Sequence, residues 1–203
     1  MTKKIPIDFY RRDDVVQIAL DLIGKDLYTY IEGKICAGTI VETEAYRGPE
    51  DRASHAFNNR RTPSNEMMYR AGGKVYMYIC YGIHDMLNIV TGAEGCSHAV
   101  LIRAIEPHTG IEHMRERRKL YNDDHRLCQG PGSLAKAMGL NKSHNGSDIL
   151  LSDKIWIEDS GKKFSADEIK ASARIGLNFD GPYKMIPWRF YLKGNNYVSR
   201  SNL

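Results

Sequence analysis

From Asp26 onward the chain is made largely of short β-rich runs, and this pattern restricts its fold more than any other feature. β-branched and aromatic residues, which favour strands, are frequent in runs at 27–31, 35–46, 74–81, 86–90, 99–105, 154–158 and 189–192. Helices are predicted in three segments, at 13–23, near 109–120 and near 133–138. Because strands outnumber helices and do not alternate with them, the sequence predicts an α+β fold with a mostly antiparallel sheet.

Local signals mark the ends of some of these elements. Asp13 is a good N-cap for the first helix, and Ser133 is a good N-cap for the third. The free amides that follow Ser133 suit a phosphate, although a plain capped turn fits the sequence equally well. Glu-Gly-Lys at 32–34 predicts the turn of a hairpin. The polar stretch 48–73 predicts a long loop, and such loops in a compact domain are usually functional or disordered.

Size and composition fit a single globular domain over residues 1–203. The chain is 42% hydrophobic and 27% charged, and no repeat or linker divides it. Its longest apolar stretch, 15–23, is interrupted by Gln17 and Asp21 and is far shorter than the ~18 apolar residues of a membrane span. The N-terminus lacks the apolar centre of a signal peptide. We therefore expect a cytoplasmic protein, nucleoid-associated if bacterial, with no membrane partner.

Motifs for metal ions and cofactors are missing from the sequence. The four cysteines do not have the spacing of a zinc site, and we expect them to be free thiols. No GxGxxG, Walker lysine, HExxH or GxSxG motif is present. We expect no metal and no cofactor. The net charge of +4 permits a polyanionic partner, and Arg60 and Arg61 form one of several basic clusters suited to phosphates.

Two carboxylates lie in line on one predicted strand. Glu42 and Glu44 are two residues apart, so their side chains should leave the same face, and Tyr46 continues that row. The pair indicates either an exposed strand face or a site of acid/base chemistry. A glycosidase that uses two carboxylates needs them ~5–9 Å apart, and this spacing roughly satisfies that requirement.

Tyrosines form a second candidate group. Alternation places Tyr76 and Tyr78 on one face of a predicted strand with Cys80, and Tyr81 on the other face. Gly82 follows directly, which puts the Tyr81 ring at a strand end beside a turn. Packing within the sheet explains these rings, and so does stacking on nucleic-acid bases.

Taken in order, these residues resemble the alkyladenine (3-methyladenine) DNA glycosylase family. The blocks that carry the resemblance are VETEAY at 41–46, GPED at 48–51 with His55 nearby, VYMYICYG at 75–82, NI at 88–89, LIRAIEP at 101–107, GP at 130–131 and RFY at 189–191. They span nearly the whole chain. The resemblance implies a single α+β domain with a curved antiparallel sheet, flanking helices and a protruding β-hairpin that enters the DNA minor groove.

The resemblance also implies an activity. Such an enzyme flips an alkylated or deaminated purine out of the duplex and hydrolyses its N-glycosidic bond without cutting the strand; the purines are 3-methyladenine, 7-methylguanine, hypoxanthine and ethenoadenine. By position, Glu44 would be the general base and Arg103 would help to hold the attacking water. Tyr81 would fill the gap left by the flipped nucleotide. We interpret Glu42 as a supporting residue.

The remaining roles implied by the resemblance concern the flipped base and the duplex. Tyr46 and Tyr78 would sandwich the base with His55 at its edge, and Asn88 would reject the exocyclic amine of normal guanine. The residues expected to contact DNA are Tyr76, Arg60 and Arg61. The expected partner is double-stranded DNA that contains damaged purines, and we expect a monomer.

Two other functions stay open at this point. A non-enzymatic protein that binds damaged DNA or RNA could use the tyrosines for stacking alone. A polysaccharide glycosidase could use Glu42 and Glu44 as its pair of carboxylates.

Overall fold

The computed structural model describes residues 3–122 and 124–199. Its strands are β1 (Lys3–Lys4), β2 (Asp26–Ile31), β3 (Lys34–Arg47), β4 (Val75–Cys80), β5 (His84–Thr91), β6 (His98–Thr109), β7 (Ile155–Asp159), β8 (Ile169–Ser172) and β9 (Arg189–Leu192). Its α-helices are α1 (Ile7–Tyr10), α2 (Val15–Asp21), α3 (Ile111–Arg118), α4 (Pro131–Ala137) and α5 (Pro182–Met185). Short 3-10 helices lie at Phe57–Asn59, Glu66–Tyr69, His125–Leu127 and Lys142–His144.

All nine strands that the described residues contain join one antiparallel sheet. The main order is β1-β7-β2-β3-β6-β5-β4, and β9 joins β8 to the second half of β3. The predicted α+β class with an antiparallel sheet is therefore confirmed. The short elements β1, β8, α1 and α5 were not predicted from the sequence. Their two to four residues are too few to show a period.

The hairpin that joins β2 to β3 forms at the predicted turn. Glu32 and Gly33 both have positive φ angles, 56° and 73°. Two successive positive φ angles are typical of the tight turns that match the twist of paired strands, and glycine adopts this conformation without strain. Lys34, expected in the turn, is instead the first residue of β3.

The long strand β3 is the centre of the molecule. Its first half pairs with β2, its second half pairs with β9 at 42–44, and β6 follows its other edge. Thr43 points towards α2, where its hydroxyl donates to the carbonyl of Ala19 at 2.8 Å. Because side chains alternate along a strand, Glu42 and Glu44 leave the opposite face.

The ladder between β3 and β6 is irregular next to these carboxylates. Glu42 pairs with Ala104 and Thr43 pairs with Ile102, so Arg103 is the extra residue of a bulge on β6. A bulge breaks the strict alternation of a strand and redirects its side chain. Here it coincides with the arginine that contacts both glutamates.

The two predicted N-caps are wrong, the first by one residue and the second by three. Asp14, not Asp13, caps α2, and its Oδ1 accepts from the amides of Val16 and Gln17 at 3.0 Å each. Helix α4 begins at Pro131, so Ser133 lies within the helix instead of capping it. Proline at the first helical position is favoured because it lacks the N–H that would have no partner there.

Strand β4 is at an edge of the sheet, and the segment 142–147 covers it. The amide of Met77 donates to the side chain of Asn145 at 2.9 Å, and Lys142 donates to the carbonyl of Met77 at 2.5 Å. Val75 exchanges backbone hydrogen bonds with Gly146 and Ser147. These contacts satisfy edge groups that would otherwise be open to pairing with another chain. No helix in the described ranges has the length and apolar character needed to cross a bilayer.

Candidate active site

A cavity of about 360 Å³ opens where β3, β4, β5 and β6 meet the loop 48–73. The strands supply aromatic and polar side chains, the loop supplies Ala53 and His55, and the segment 175–177 closes another side. Its volume is in the range of small-molecule sites, and its lining is mostly apolar with a few convergent polar groups. The loop 48–73 therefore contributes directly to the cavity lining.

Glu44 lies buried behind the wall of this cavity. Its Oε2 accepts from the hydroxyl of Tyr46 at 2.8 Å and is 3.2 Å from Nη1 of Arg103. Its Oε1 accepts from the amide of Ile175 at 2.8 Å. Tyr46, Arg103 and Ile175 all line the cavity. A carboxylate offers about four acceptor positions. The Tyr46 hydroxyl and the Arg103 contact face Oε2 and only the Ile175 amide bonds to Oε1, so one position on Oε1 has no donor among the described residues. Glu44 itself has no exposed surface and, like Glu42, is not part of the cavity lining.

Glu42 is enclosed by a separate set of donors and does not line the cavity. Its Oε1 accepts from Nε of Arg103, Nε of Arg189 and the hydroxyl of Ser199, each at 2.7 Å. Its Oε2 accepts from the amide of Ser199, also at 2.7 Å. Burial alone would raise the pKa of Glu42, but Arg103 and Arg189 outweigh burial and hold it below its ordinary value. Glu42 is thus placed to orient Arg103, as a supporting residue would be.

Arg103 bridges the two glutamates and stays charged. Burial alone would lower its pKa, but the neighbouring Glu44 and Glu42 carboxylates raise it above the ordinary value. Because Nε contacts Glu42 while Nη1 contacts Glu44, the guanidinium is fixed at both ends. A group held in this way costs little reorganisation when charge develops beside it.

Tyrosines and a histidine form the aromatic wall. The rings of Tyr76 and Tyr78 lie 5.7 Å apart, and the His55 ring meets the Tyr78 ring edge-on at 4.5 Å. His55 Nδ1 and the hydroxyl of Tyr76 share a hydrogen bond of 2.8 Å. Met77 packs in the main core, so Tyr76 and Tyr78 do share the face that alternation predicts.

The titratable groups of this wall are held neutral at physiological pH. His55 is open to solvent through the cavity, yet close protein atoms desolvate it, and this lowers its pKa; Arg60 and Lys142 lower it further. Burial raises the pKa of Tyr46, and the adjacent Glu44 carboxylate raises it again. Burial likewise raises the pKa of Tyr78. The wall therefore presents neutral rings, with the buried ion pairs behind them.

Asn88 lies on β5 at the side of the cavity. It is almost fully buried, and its amide nitrogen donates to the carbonyl of Tyr76 at 3.2 Å. This bond to the neighbouring strand fixes the orientation of the side chain, so its remaining polar groups are presented in one arrangement.

Tyr81 stands at the tip of the hairpin that joins β4 to β5. Its side chain is 80% exposed, and its φ angle is 51°. The strand alternation that would put Tyr81 on the face opposite Tyr78 stops at Cys80, because the backbone turns at Tyr81 and Gly82. Tyr81 therefore lies at the mouth of the same cavity as Tyr78. Ile83, 74% exposed, extends the apolar tip.

The two arginines predicted to contact DNA are placed differently. Arg60 is exposed and lines a groove next to the cavity. Tyr78 and Tyr81 line both the groove and the cavity. Arg61 is engaged with Glu66 by two hydrogen bonds of 2.6 and 2.7 Å and covers the ring of Tyr69. Only Arg60 is thus close to the cavity.

A second buried ion pair, which was not predicted from the sequence, lies next to the site. Arg174 makes a bidentate contact with Asp51, at 2.5 and 2.8 Å, and both side chains are fully buried. Asp51 lay in one of the family blocks, but nothing in the sequence marked Arg174 as its partner. In the part of the chain that the structure describes, no group of three or more His, Cys, Asp or Glu is arranged to hold a metal.

Comparison with known proteins agrees with this geometry. The family model for methylpurine-DNA glycosylase (MPG) matches residues 8–196. A protein of Chlamydia felis is 46% identical over 189 residues, which cover 93% of this chain and 95% of the relative. A protein of Desulfitobacterium hafniense is 42% identical over 204 residues, which cover 97% of this chain and 98% of the relative. Both relatives carry the name "Putative 3-methyladenine DNA glycosylase". The chain therefore belongs to the methylpurine-DNA glycosylase family and is a DNA-repair enzyme of the 3-methyladenine DNA glycosylase type.

Proposed function

We propose that this glycosylase binds double-stranded DNA, flips an alkylated or deaminated purine into the cavity and hydrolyses its N-glycosidic bond with a water activated by Glu44. The observation that carries the proposal is a buried carboxylate with one free acceptor position, set directly behind a cavity walled by neutral aromatic rings. Candidate substrates are 3-methyladenine, 7-methylguanine, hypoxanthine and ethenoadenine.

The free position on Oε1 of Glu44 suits the attacking water. Cleavage of the glycosidic bond builds positive charge on the sugar, and a nearby carboxylate stabilises that charge while it accepts a proton from the water. Arg103 contacts the other carboxylate oxygen at 3.2 Å, which orients the group and leaves Oε1 for the water. The Ile175 amide, 2.8 Å from Oε1, fixes the direction of the remaining acceptor position.

The aromatic wall suits a flipped purine. Tyr46 and Tyr78 offer ring faces for stacking, and a cationic alkylated base gains ~0.5–2 kcal/mol from such contacts. His55, neutral because its pKa is lowered, lies at the edge where a polar group of the base would be read. Asn88, fixed by its bond to Tyr76, is the group that would reject the exocyclic amine of guanine.

The exposed Tyr81 ring suits the gap that a flipped nucleotide leaves in the duplex. Flipping costs a few kcal/mol, and the cost is lower at a damaged or mismatched base. A ring inserted into the stack offsets part of it. Arg60, and more weakly Arg61 and Tyr76, are candidates for contacts to the DNA backbone.

No lysine lines the cavity among the described residues, which favours a monofunctional enzyme that leaves the strand uncut. The donor set of Glu42 argues against a polysaccharide glycosidase, because this second carboxylate is enclosed by arginines and Ser199. We further propose a monomer that acts in the cytoplasm, at the nucleoid in a bacterial cell.

Replacement of Glu44 tests the proposal. In Glu44→Gln the amide cannot act as a base, so release of hypoxanthine from an inosine-containing duplex should fall by at least about a hundredfold. Affinity for the lesion duplex, measured by fluorescence anisotropy, should be retained. The matched control is Glu116→Gln, which changes an exposed carboxylate that pairs with Lys34 and does not line the cavity. Unchanged base release in Glu44→Gln would refute the assignment. Retained binding without release by the unaltered chain would favour a non-enzymatic binder.

A further inference from the structure

The Asp51–Arg174 ion pair lies directly behind one wall of the cavity. Both side chains have no exposed surface, and Arg174 also donates to the carbonyls of Ala45 and Tyr183, at 2.8 and 3.1 Å. Asp51 in turn accepts from the amides of Arg47 and Ala53. The pair is therefore a fixed part of the fold, and solvent screens its charges much less than those of an exposed pair.

Tyr46 separates this pair from the cavity. The guanidinium carbon of Arg174 lies over the Tyr46 ring, 4.7 Å from its centroid, and it is 5.3 Å from the centroid of Trp188. Tyr46 lines the cavity, whereas Arg174 does not. A base that stacks on Tyr46 from the cavity would thus share the ring with a guanidinium behind it.

A cation behind an aromatic ring weakens the binding of a second cation to the front face of the same ring. Both are attracted by the same negative ring faces, and they repel each other through the ring. The Asp51 carboxylate offsets the charge of Arg174. Among the described residues, three buried carboxylates and three buried guanidinium groups lie around the cavity, so their charges cancel. The carboxylates are those of Glu42, Glu44 and Asp51, and the guanidinium groups are those of Arg103, Arg174 and Arg189. Loss of either partner of the pair leaves one uncompensated charge behind Tyr46.

We propose that the Asp51–Arg174 pair sets the preference of the pocket between cationic and neutral purines by controlling the charge behind Tyr46. The inference rests on the proposed function, because it takes the cavity as the site of the flipped base. Asp51 and Arg174 would determine substrate specificity through Tyr46, without contacting the base themselves. The readout is the ratio of release rates for two bases, 7-methylguanine, which is cationic, and hypoxanthine, which is neutral. Each is placed in the same duplex.

The two single variants should move this ratio in opposite directions. Asp51→Asn leaves a net positive charge behind Tyr46 and should lower the 7-methylguanine to hypoxanthine ratio about tenfold relative to the unaltered protein. Arg174→Gln leaves a net negative charge and should raise the ratio about tenfold. The double variant restores neutrality, and its ratio should return to within about twofold of the original. Glu116→Gln is the matched control, because it removes an exposed carboxylate paired with Lys34.

The ratio is independent of how much of each preparation is folded, since both rates come from the same sample. Circular dichroism establishes whether each variant is folded. If Asp51→Asn does not fold, Arg174→Lys is used in its place. Because Arg174→Lys keeps the positive charge, its ratio of release rates should equal that of the unaltered protein, whereas Arg174→Gln should raise the ratio. A purely structural pair would move the ratio in the same direction in every variant, or not at all, and either result overturns the inference. If the unaltered protein releases neither base, the proposed function itself fails.

Discussion

Glu42→Gln removes the central anion of a buried network while it keeps the size of the side chain. Four donor groups converge on Glu42 at 2.7 Å: Nε of Arg103, Nε of Arg189, and the amide and hydroxyl of Ser199. An amide offers one oxygen instead of two and no charge, so two buried guanidinium groups lose their shared counter-ion. Removing one partner of a buried pair costs about 3–5 kcal/mol.

That cost is large for a protein of this size. At ~2–4 °C per kcal/mol for 150–250 residues, the melting temperature should fall by about 6–20 °C. Urea unfolding followed by circular dichroism gives the free energy directly. The control is Glu116→Gln, whose half-exposed carboxylate binds Lys34 and should contribute less than ~1 kcal/mol. A loss below ~1 kcal/mol in Glu42→Gln would refute the reasoning.

The same variant has a distinct pH signature. The neighbouring arginines hold the pKa of Glu42 below its ordinary value of 4.5, against the effect of burial. Because the folded-state pKa is depressed, the stabilisation is fully present above pH 4.5 and is lost as the pH falls through the folded-state pKa. The difference in unfolding free energy between the unaltered protein and Glu42→Gln should therefore shrink below pH 4.5. A difference that stays constant down to acid unfolding would contradict this linkage.

Two further changes test the hairpin that carries Tyr81. Gly132→Ala places a methyl group 3.0 Å from Cγ and Nδ1 of His84, so it should displace the hairpin and weaken lesion binding by about threefold or more. The melting temperature should not fall, because alanine favours helix α4. Unchanged affinity would show that the hairpin adapts to the methyl group. Tyr81→Ser should weaken binding to a lesion duplex by roughly tenfold and to undamaged duplex by less, since one stacking ring contributes ~1–3 kcal/mol; equal losses on both duplexes would count against intercalation.

Sequence alone located the strands that carry the site. The alternation of Glu42, Glu44 and Tyr46 placed three side chains on one face of β3, and the structure joins them through Arg103 and a tyrosine hydroxyl. Period and residue type were sufficient here because both are local properties of one strand.

Other parts of the site depend on pairings that no local pattern encodes. Asp51 and Arg174 are 123 residues apart, and Ser199 reaches Glu42 across 157 residues. The bulge that redirects Arg103 arises from the register of two strands, which is set by the whole sheet. Each strand on its own looks regular in sequence, so these contacts could not be derived from it.

Strand β3 pairs with β2, β6 and β9, so Glu44, the proposed general base, is built into a strand that is paired along both of its edges. The groups that would read the base belong partly to the loop 48–73 and the segment 175–177, which lie outside that strand. Substitutions at solvent-accessible positions of the loop and of the segment, such as His55 and Gly176, would alter the pocket without changing strand β3. Alteration of the hydrolytic step itself would require rebuilding the centre of the domain.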